Sequence, residues 1–175
     1  MTASHYLENL VYQQSNGLVP PYAAFGHFNP LITQWASGYL LETKLSGSHA
    51  KGTAIKICAD VDLFISISSN LNKSLSEIYE NLFTFFESRP GYKPRKQNVS
   101  IRVNLGNSAT VDLVPGKRHP DYSSYHSLHV RKRQTWMQTN VDEHIRIVKS
   151  ANRADVIKLT KIWRERHKLE FPSLY

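Results

Sequence analysis

The chain has 175 residues, with 22 Lys+Arg against 14 Asp+Glu, eight His and one Cys, giving a formal charge of +8 at pH 7. At 41% hydrophobic and 21% charged residues its composition is that of an ordinary globular protein long enough to bury a core. The lone Cys58 excludes a disulfide framework within the chain, no apolar run approaches the roughly 20 residues that span a bilayer, and no secretory signal opens it, so the expected setting is the cytoplasm, with no membrane partner.

In chain order, residues 2–14 place Tyr6, Leu7, Leu10 and Val11 at helical spacing, and residues 17–21 break that helix. Asn29-Pro30 reads as an N-cap followed by proline at the first helical position, opening a helix that carries Leu31, Ile32, Trp35, Tyr39 and Leu40. Residues 41–45 read as a short strand running into a loop over 46–53. Residues 59–68 are strongly strand-like, with Val61, Phe64, Ile65 and Ile67. Ser74-Leu75-Ser76-Glu77 is a capping box, opening a helix with Leu75, Ile78, Tyr79, Leu82, Phe83 and Phe86 on one side. Arg89-Pro90-Gly91 ends it.

Val99, Ile101, Val103 and Leu105 then alternate with Ser100, Arg102 and Asn104, the period of a half-buried strand. Gly106-Asn107 signals a turn, and residues 109–114 return as the hairpin partner, stopped by Pro115-Gly116. A strand over 127–131 and two helices near 142–152 and 155–169 complete the chain. The expected fold is α/β (α+β), with a mixed, partly antiparallel sheet flanked by helices, because a hairpin excludes a purely parallel doubly wound sheet.

Three acids carry the chemistry. Asp60 and Asp62 are two apart on the most apolar strand, so they share a face. Like charges beside Phe64 and Ile65 are costly unless a cation neutralises them. Asp112 sits likewise in Val111-Asp112-Leu113-Val114. If the two strands are neighbours, the three carboxylates converge, and hard oxygen ligands in that number suit Mg²⁺ or Mn²⁺. The alternative is three solvated acids at strand ends.

Gly47-Ser48 precedes the acids by about a dozen residues. Glycine lets backbone approach a phosphate, and Lys51 and Thr53 add a cation and a hydroxyl. The order is not that of a Walker loop, since Lys51 precedes Gly52. An ordinary Gly/Ser turn is the alternative. Four basic groups, Lys93/Arg95/Lys96, Lys117/Arg118/His119, Arg131/Lys132/Arg133 and Lys161/Arg164/Arg166/Lys168, make nucleic acid a candidate partner for a basic surface, against solvated faces. His119, His126 and His129 lack the spacing of a closed zinc site. Cys58 reads as buried filler, and Trp35, Trp136 and Trp163 as packing residues.

Taken in order, Gly47-Ser48, Lys51-Gly52-Thr53-Ala54-Ile55, Asp60-Val61-Asp62-Leu63-Phe64-Ile65 and Val111-Asp112-Leu113-Val114-Pro115 resemble the nucleotidyltransferase superfamily built on the DNA polymerase beta palm. Within it the chain looks most like the branch of oligoadenylate synthetases, cyclic GMP-AMP synthase and the bacterial antiphage cyclic-oligonucleotide synthases; archaeal CCA-adding enzymes are similar too. The run Ile157-Lys158-Leu159-Thr160-Lys161-Ile162-Trp163 resembles that branch's Lys-x-Trp helix. The resemblance implies a palm over residues 1–138 and the beginning of a helical lobe over 139–175. The branch continues with a Ser-Tyr-x-Leu-Glu motif, which Phe171-Pro172-Ser173-Leu174-Tyr175 only begins, so a fragment of a longer protein is expected.

It further implies that Asp60 and Asp62 bind both metals and that Asp112 completes the site for the acceptor hydroxyl. Gly47 and Ser48 would grip the β- and γ-phosphates. Lys161 would contact the triphosphate, the alternative being a solvated helix lysine. The implied activity is transfer of a nucleoside monophosphate from a nucleoside triphosphate to a hydroxyl, making an oligonucleotide or cyclic nucleotide signal. Nucleotide addition to an RNA end and a catalytically silent nucleotide-binding module are the alternatives. Base preference, linkage, activator and oligomeric state stay open.

Overall fold

A computed structural model describes residues 2–18, 20–58, 60–105 and 109–170. Ala59, the Gly106-Asn107 turn and the motif begun at Phe171 lie outside the described residues. The chain runs α1 (Ala3–Ser15), α2 (Pro21–Ala36), β1 (Leu40–Ser46), α3 (Gly47–Lys51), β2 (Val61–Ile67), α4 (Leu75–Glu87), β3 (Arg95–Lys96) and β4 (Ile101–Leu105). It continues through β5 (Ala109–Arg118), β6 (His126–Val130), β7 (Thr135–Thr139), α5 (Val141–Ser150) and α6 (Ala154–His167). Among the described residues one sheet forms in the order β1-β2-β5-β4-β3, with β6 on β5 and β7 on β6. The β2–β5 pair is parallel and every other pair antiparallel, as the mixed-sheet expectation requires.

Two helices dry one face of this sheet. Val61, Leu63, Ile65 and Ile67 of β2, with Val111 and Leu113 of β5 and Ile101 and Val103 of β4, pack against α2 and α4. α4 is the helix that the capping box announces: the Ser74 side chain accepts from the Glu77 amide and the Glu77 carboxylate accepts from the Ser74 amide. Its Ile78, Tyr79, Leu82 and Phe86 are buried, and the Tyr79 hydroxyl reaches the carbonyls of Gln97 at 2.8 Å and Ser100 at 3.0 Å.

The expected start of the second helix is displaced. Pro21 provides the proline of the first turn, and Asn29 and Pro30 lie inside α2. Ala24, Phe28, Ile32 and Ala36 recur every fourth residue and are all buried. Burying Phe28 and Ile32 is worth about 1.5–3 kcal/mol each, which outweighs the roughly 3 kcal/mol that an interior proline costs. Tyr39 and Leu40 leave this helix for a 3₁₀ turn and β1.

Other departures have similar causes. The loop expected over 46–53 contains the helical turn α3, closed by Gly52 in the left-handed region at φ 72°. β5 is not stopped by Pro115-Gly116 but runs on to Arg118. Pro115 falls between the stretch paired with β4, which ends at Leu113, and the stretch paired with β6, which begins at Lys117. A missing amide is tolerated where a ladder on that side is interrupted. β3 and β7 were not expected. β7 is exposed over Thr135 to Gln138, so it shows no alternation to read. Trp136 and Trp163 are not in the core: they are 59% and 53% exposed, while Trp35 lies against it. His126 and His129 are buried singly, His126 bonded to the Ser66 hydroxyl at 2.7 Å and His129 against the Tyr79 ring. Burial, then the charges of Arg118 and Lys44, push the His126 imidazole down to about 4.

On the other face Phe64 lies over Gly116, where an added Cβ would stand 2.6 Å from the ring's Cζ and 3.1 Å from a Leu128 methyl. Gly116→Ala is therefore expected to destabilise the protein by about 1–3 kcal/mol through overpacking. The midpoint of urea unfolding measures this, and an unchanged midpoint would contradict it.

Candidate active site

One register row assembles the site. Ser46 of β1 pairs with Asp62 of β2, Asp62 with Asp112 of β5, and Asp112 with Arg102 of β4. Strand neighbours stand about 4.8 Å apart, so the parallel β2–β5 pair sets two carboxylates side by side. Because side chains alternate along a strand, Asp62 and Asp112 point away from the core that Val61, Leu63, Val111 and Leu113 enter.

Arg102 is the counter-ion. Its guanidinium donates to both Asp112 oxygens, Nε to Oδ1 at 2.9 Å and Nη2 to Oδ2 at 2.8 Å. Nη2 also reaches Asp60 Oδ2 at 2.5 Å. The hydrogen bonds to Asp112, then the two acidic charges, raise the guanidinium above its ordinary value against the cost of burial. Asp62 has no such partner: among the described residues its carboxylate accepts no hydrogen bond. Burial first, and then the charges of Asp112 and Asp60, push its carboxyl up to about 6.

Gly47 accounts for how Asp62 fits. The residue follows the last one of β1, in the left-handed region at φ 57°, and a Cβ there would lie 1.7 Å from Asp62 Oδ2. A glycine is required both by the backbone and by the carboxylate lying on it. Gly47, Ser48, Lys51 and Thr53 line the same cleft of about 310 Å³ as the three acids. The Thr53 side is closed by α6, whose Lys161 Nζ donates to the Thr53 carbonyl at 3.0 Å and stands 3.5 Å from its hydroxyl. Burial lowers the ammonium groups of Lys51 and Lys161 from their ordinary values. Both therefore give up their hydration readily to an anion.

All eight residues singled out in the sequence thus meet in one cleft. Arg102, Arg164 and Cys58 were not among them; Arg164 and Cys58 also line the cleft. Cys58 is half-buried in the cleft wall rather than buried filler, and desolvation pushes its thiol up. Arg102 had a signal: antiparallel pairing of the alternating run 99–105 with its expected partner 109–114 sets it opposite Asp112. Among the described residues no three His, Cys, Asp or Glu side chains form a ready-made metal cage; Arg102 stands between Asp60 and Asp112 instead. The donor set nevertheless suits a hard cation, since three carboxylates face one cleft and the partly buried Asp62 among them accepts no hydrogen bond from the described residues.

No protein-family model matches the chain. The chain is 28% identical over 142 residues to a cyclic AMP-AMP-AMP synthase of Escherichia coli strain MS 115-1, which covers 73% of this chain and 44% of that protein. It therefore spans less than half the length of this curated relative. Among solved structures it is similar to E. coli MS115-1 CdnC with ATP, with a TM-score of 0.65 and 23% identity over 87% of this chain and 54% of the other. It is also similar to the CdnE cyclic dinucleotide synthase of Elizabethkingia meningoseptica with GTP and Apcpp, with a TM-score of 0.68 and 15% identity over 95% and 67% of the two chains. The row of acids, the glycine beside them and these likenesses agree: the chain has the fold of these solved nucleotide-bound structures and is similar in sequence to a cyclic AMP-AMP-AMP synthase.

Proposed function

We propose that the protein is a nucleotidyltransferase that makes a cyclic or linear oligonucleotide signal from nucleoside triphosphates. The observation that carries this reading is Asp62: a partly buried carboxylate, without a hydrogen-bond partner among the described residues, beside two further carboxylates and against a glycine. A fold does not keep so costly a group for stability. In the proposed reaction an acceptor hydroxyl attacks the α-phosphorus in line and gives its proton to water, the bond to the β-phosphate oxygen breaks, and pyrophosphate leaves with the electron pair. Asp60, Asp62 and Asp112 would hold Mg²⁺ or Mn²⁺, which when bound supplies neutralisation of the triphosphate charge.

The remaining work falls to the chain itself. Gly47 and Ser48 bring backbone and a hydroxyl to the β- and γ-phosphates, and Lys51 and Lys161 offer partly desolvated ammonium groups to the same anion. Thr53 keeps Lys161 aimed into the cleft. Arg102 fixes the Asp112 carboxylate in one orientation by its two parallel hydrogen bonds. Catalysis is then mainly positioning and charge compensation.

Three outcomes are expected. Asp60→Asn combined with Asp62→Asn abolishes turnover while circular dichroism stays unchanged. The assay incubates each radiolabelled nucleoside triphosphate with Mg²⁺ or Mn²⁺ and analyses the products; turnover equal to wild type removes the proposal, and activity that needs added RNA turns it into addition to an RNA end.

The single variant Asp62→Asn separates activity from stability. The folded-state carboxyl, at about 6, lies above its ordinary 3.8, so the ionised group opposes folding; this cost is absent below 3.8 and complete above about 6. In chelator at about pH 7.5 the variant should be more stable than wild type by about 1–3 kcal/mol, a gain that fades by about pH 4. Urea unfolding at the two pH values checks it, and a less stable variant at the higher pH contradicts the electrostatic account.

Ser48→Ala should weaken triphosphate binding by about three- to tenfold and leave nucleoside binding unchanged, as measured by calorimetry. Equal losses for both ligands would argue against a phosphate contact.

A further inference from the structure

A second groove lies at the opposite end of β5. Five residues separate Lys117 from Asp112, about 16 Å along a strand, and the two clefts share no lining residue. The groove has a volume of about 500 Å³ and is lined by Lys117, Arg118, His119, Asn70, Gln138 and Trp136, among others. That volume suits one nucleotide-sized ligand.

Register organises its floor. Lys117 pairs with Ser127 and Ser127 with Gln138, which sets an ammonium, a hydroxyl and an amide in one row across β5, β6 and β7. Trp136 stands two residues before Gln138 and so presents its indole on the same face, 59% exposed. The Lys117 ammonium donates to the Lys73 carbonyl at 3.0 Å, which occupies one of its three protons. Arg118, the next residue of β5, alternates to the opposite face of the sheet, beside His126. Among the described residues Lys117 pairs with no carboxylate; the acid at hand, Asp121, stands 4.0 Å from the His119 ring.

A flat aromatic face, amide groups that both donate and accept, and an ammonium at one end describe the chemistry of a phosphorylated nucleoside. We propose that this groove binds a mononucleotide, with the base stacked on Trp136, its edge read by Gln138 and Asn70, and its phosphate held by Lys117. This assignment does not depend on the acids of the other cleft.

The test is isothermal titration calorimetry of the full chain in EDTA with AMP, with adenosine, and with a short deoxyadenosine oligomer. Trp136→Ala should weaken AMP binding on the order of tenfold, with partial recovery in Trp136→Phe. Lys117→Gln should weaken AMP while leaving adenosine unchanged. Asp60→Asn with Asp62→Asn should bind AMP as wild type does, so that failure here is distinguishable from failure of the proposed catalysis. The indole is exposed, and circular dichroism confirms that each variant folds. Absence of AMP binding at millimolar concentration, an unaffected Trp136→Ala, or loss of binding in the double Asn variant overturns the proposal. Tighter, strongly salt-dependent binding of the oligomer also overturns it, in favour of a nucleic-acid surface.

Discussion

Two carboxylates held side by side by the parallel pairing of β2 and β5 are the constraint on which the rest of this molecule turns. Charges a strand spacing apart repel by about 3 kcal/mol at an effective dielectric of about 20. β4 supplies Arg102 opposite Asp112, and the guanidinium spans Asp112 and Asp60. It leaves Asp62 uncompensated, and the raised carboxyl of that residue records the imbalance. The site therefore holds electrostatic free energy that a cation bound there would release.

The opposite face of the same sheet makes this tolerable. β2, β4 and β5 bury Val61, Leu63, Ile65, Ile101, Val103, Val111 and Leu113 under α2 and α4 without a charge among them. Alternation along each strand separates a stabilising face from a reactive one at single-residue resolution. The two glycines that matter serve the crowded face: Gly47 makes room for the Asp62 carboxylate and Gly116 for the Phe64 ring. Distant segments then complete the cleft. α3 brings Ser48 and Lys51, and α6, more than a hundred residues later, brings Lys161 onto Thr53.

Much of this was legible before any fold was known, where the signal is local. The Ser74–Glu77 capping box needs only its own four residues, and α4 begins there. Apolar runs interrupted by single acids are expensive in any context, which is why Asp60, Asp62 and Asp112 stood out. Where competing local signals met, tertiary burial decided: Asn29-Pro30 looks like a helix start, but the stripe from Ala24 to Ala36 carries the helix through it. Pro115 looks like a stop, but it falls where the ladder beside β5 is interrupted. β7 has no alternation because both of its faces are open, and so it left no trace in the pattern.

The residues themselves determined that strands with embedded acids, a glycine-serine turn and a late lysine helix would occur, because each follows from the chemistry of a few neighbours. Which strand lies beside which was decided only in three dimensions. Parallel pairing of β2 with β5 is a long-range choice, set by which apolar faces can be buried together, and no window of sequence contains it. The pairing of Arg102 with two acids, the seat of Asp62 against Gly47 and the row that joins Lys117 to Gln138 beside an open tryptophan all follow from that register alone.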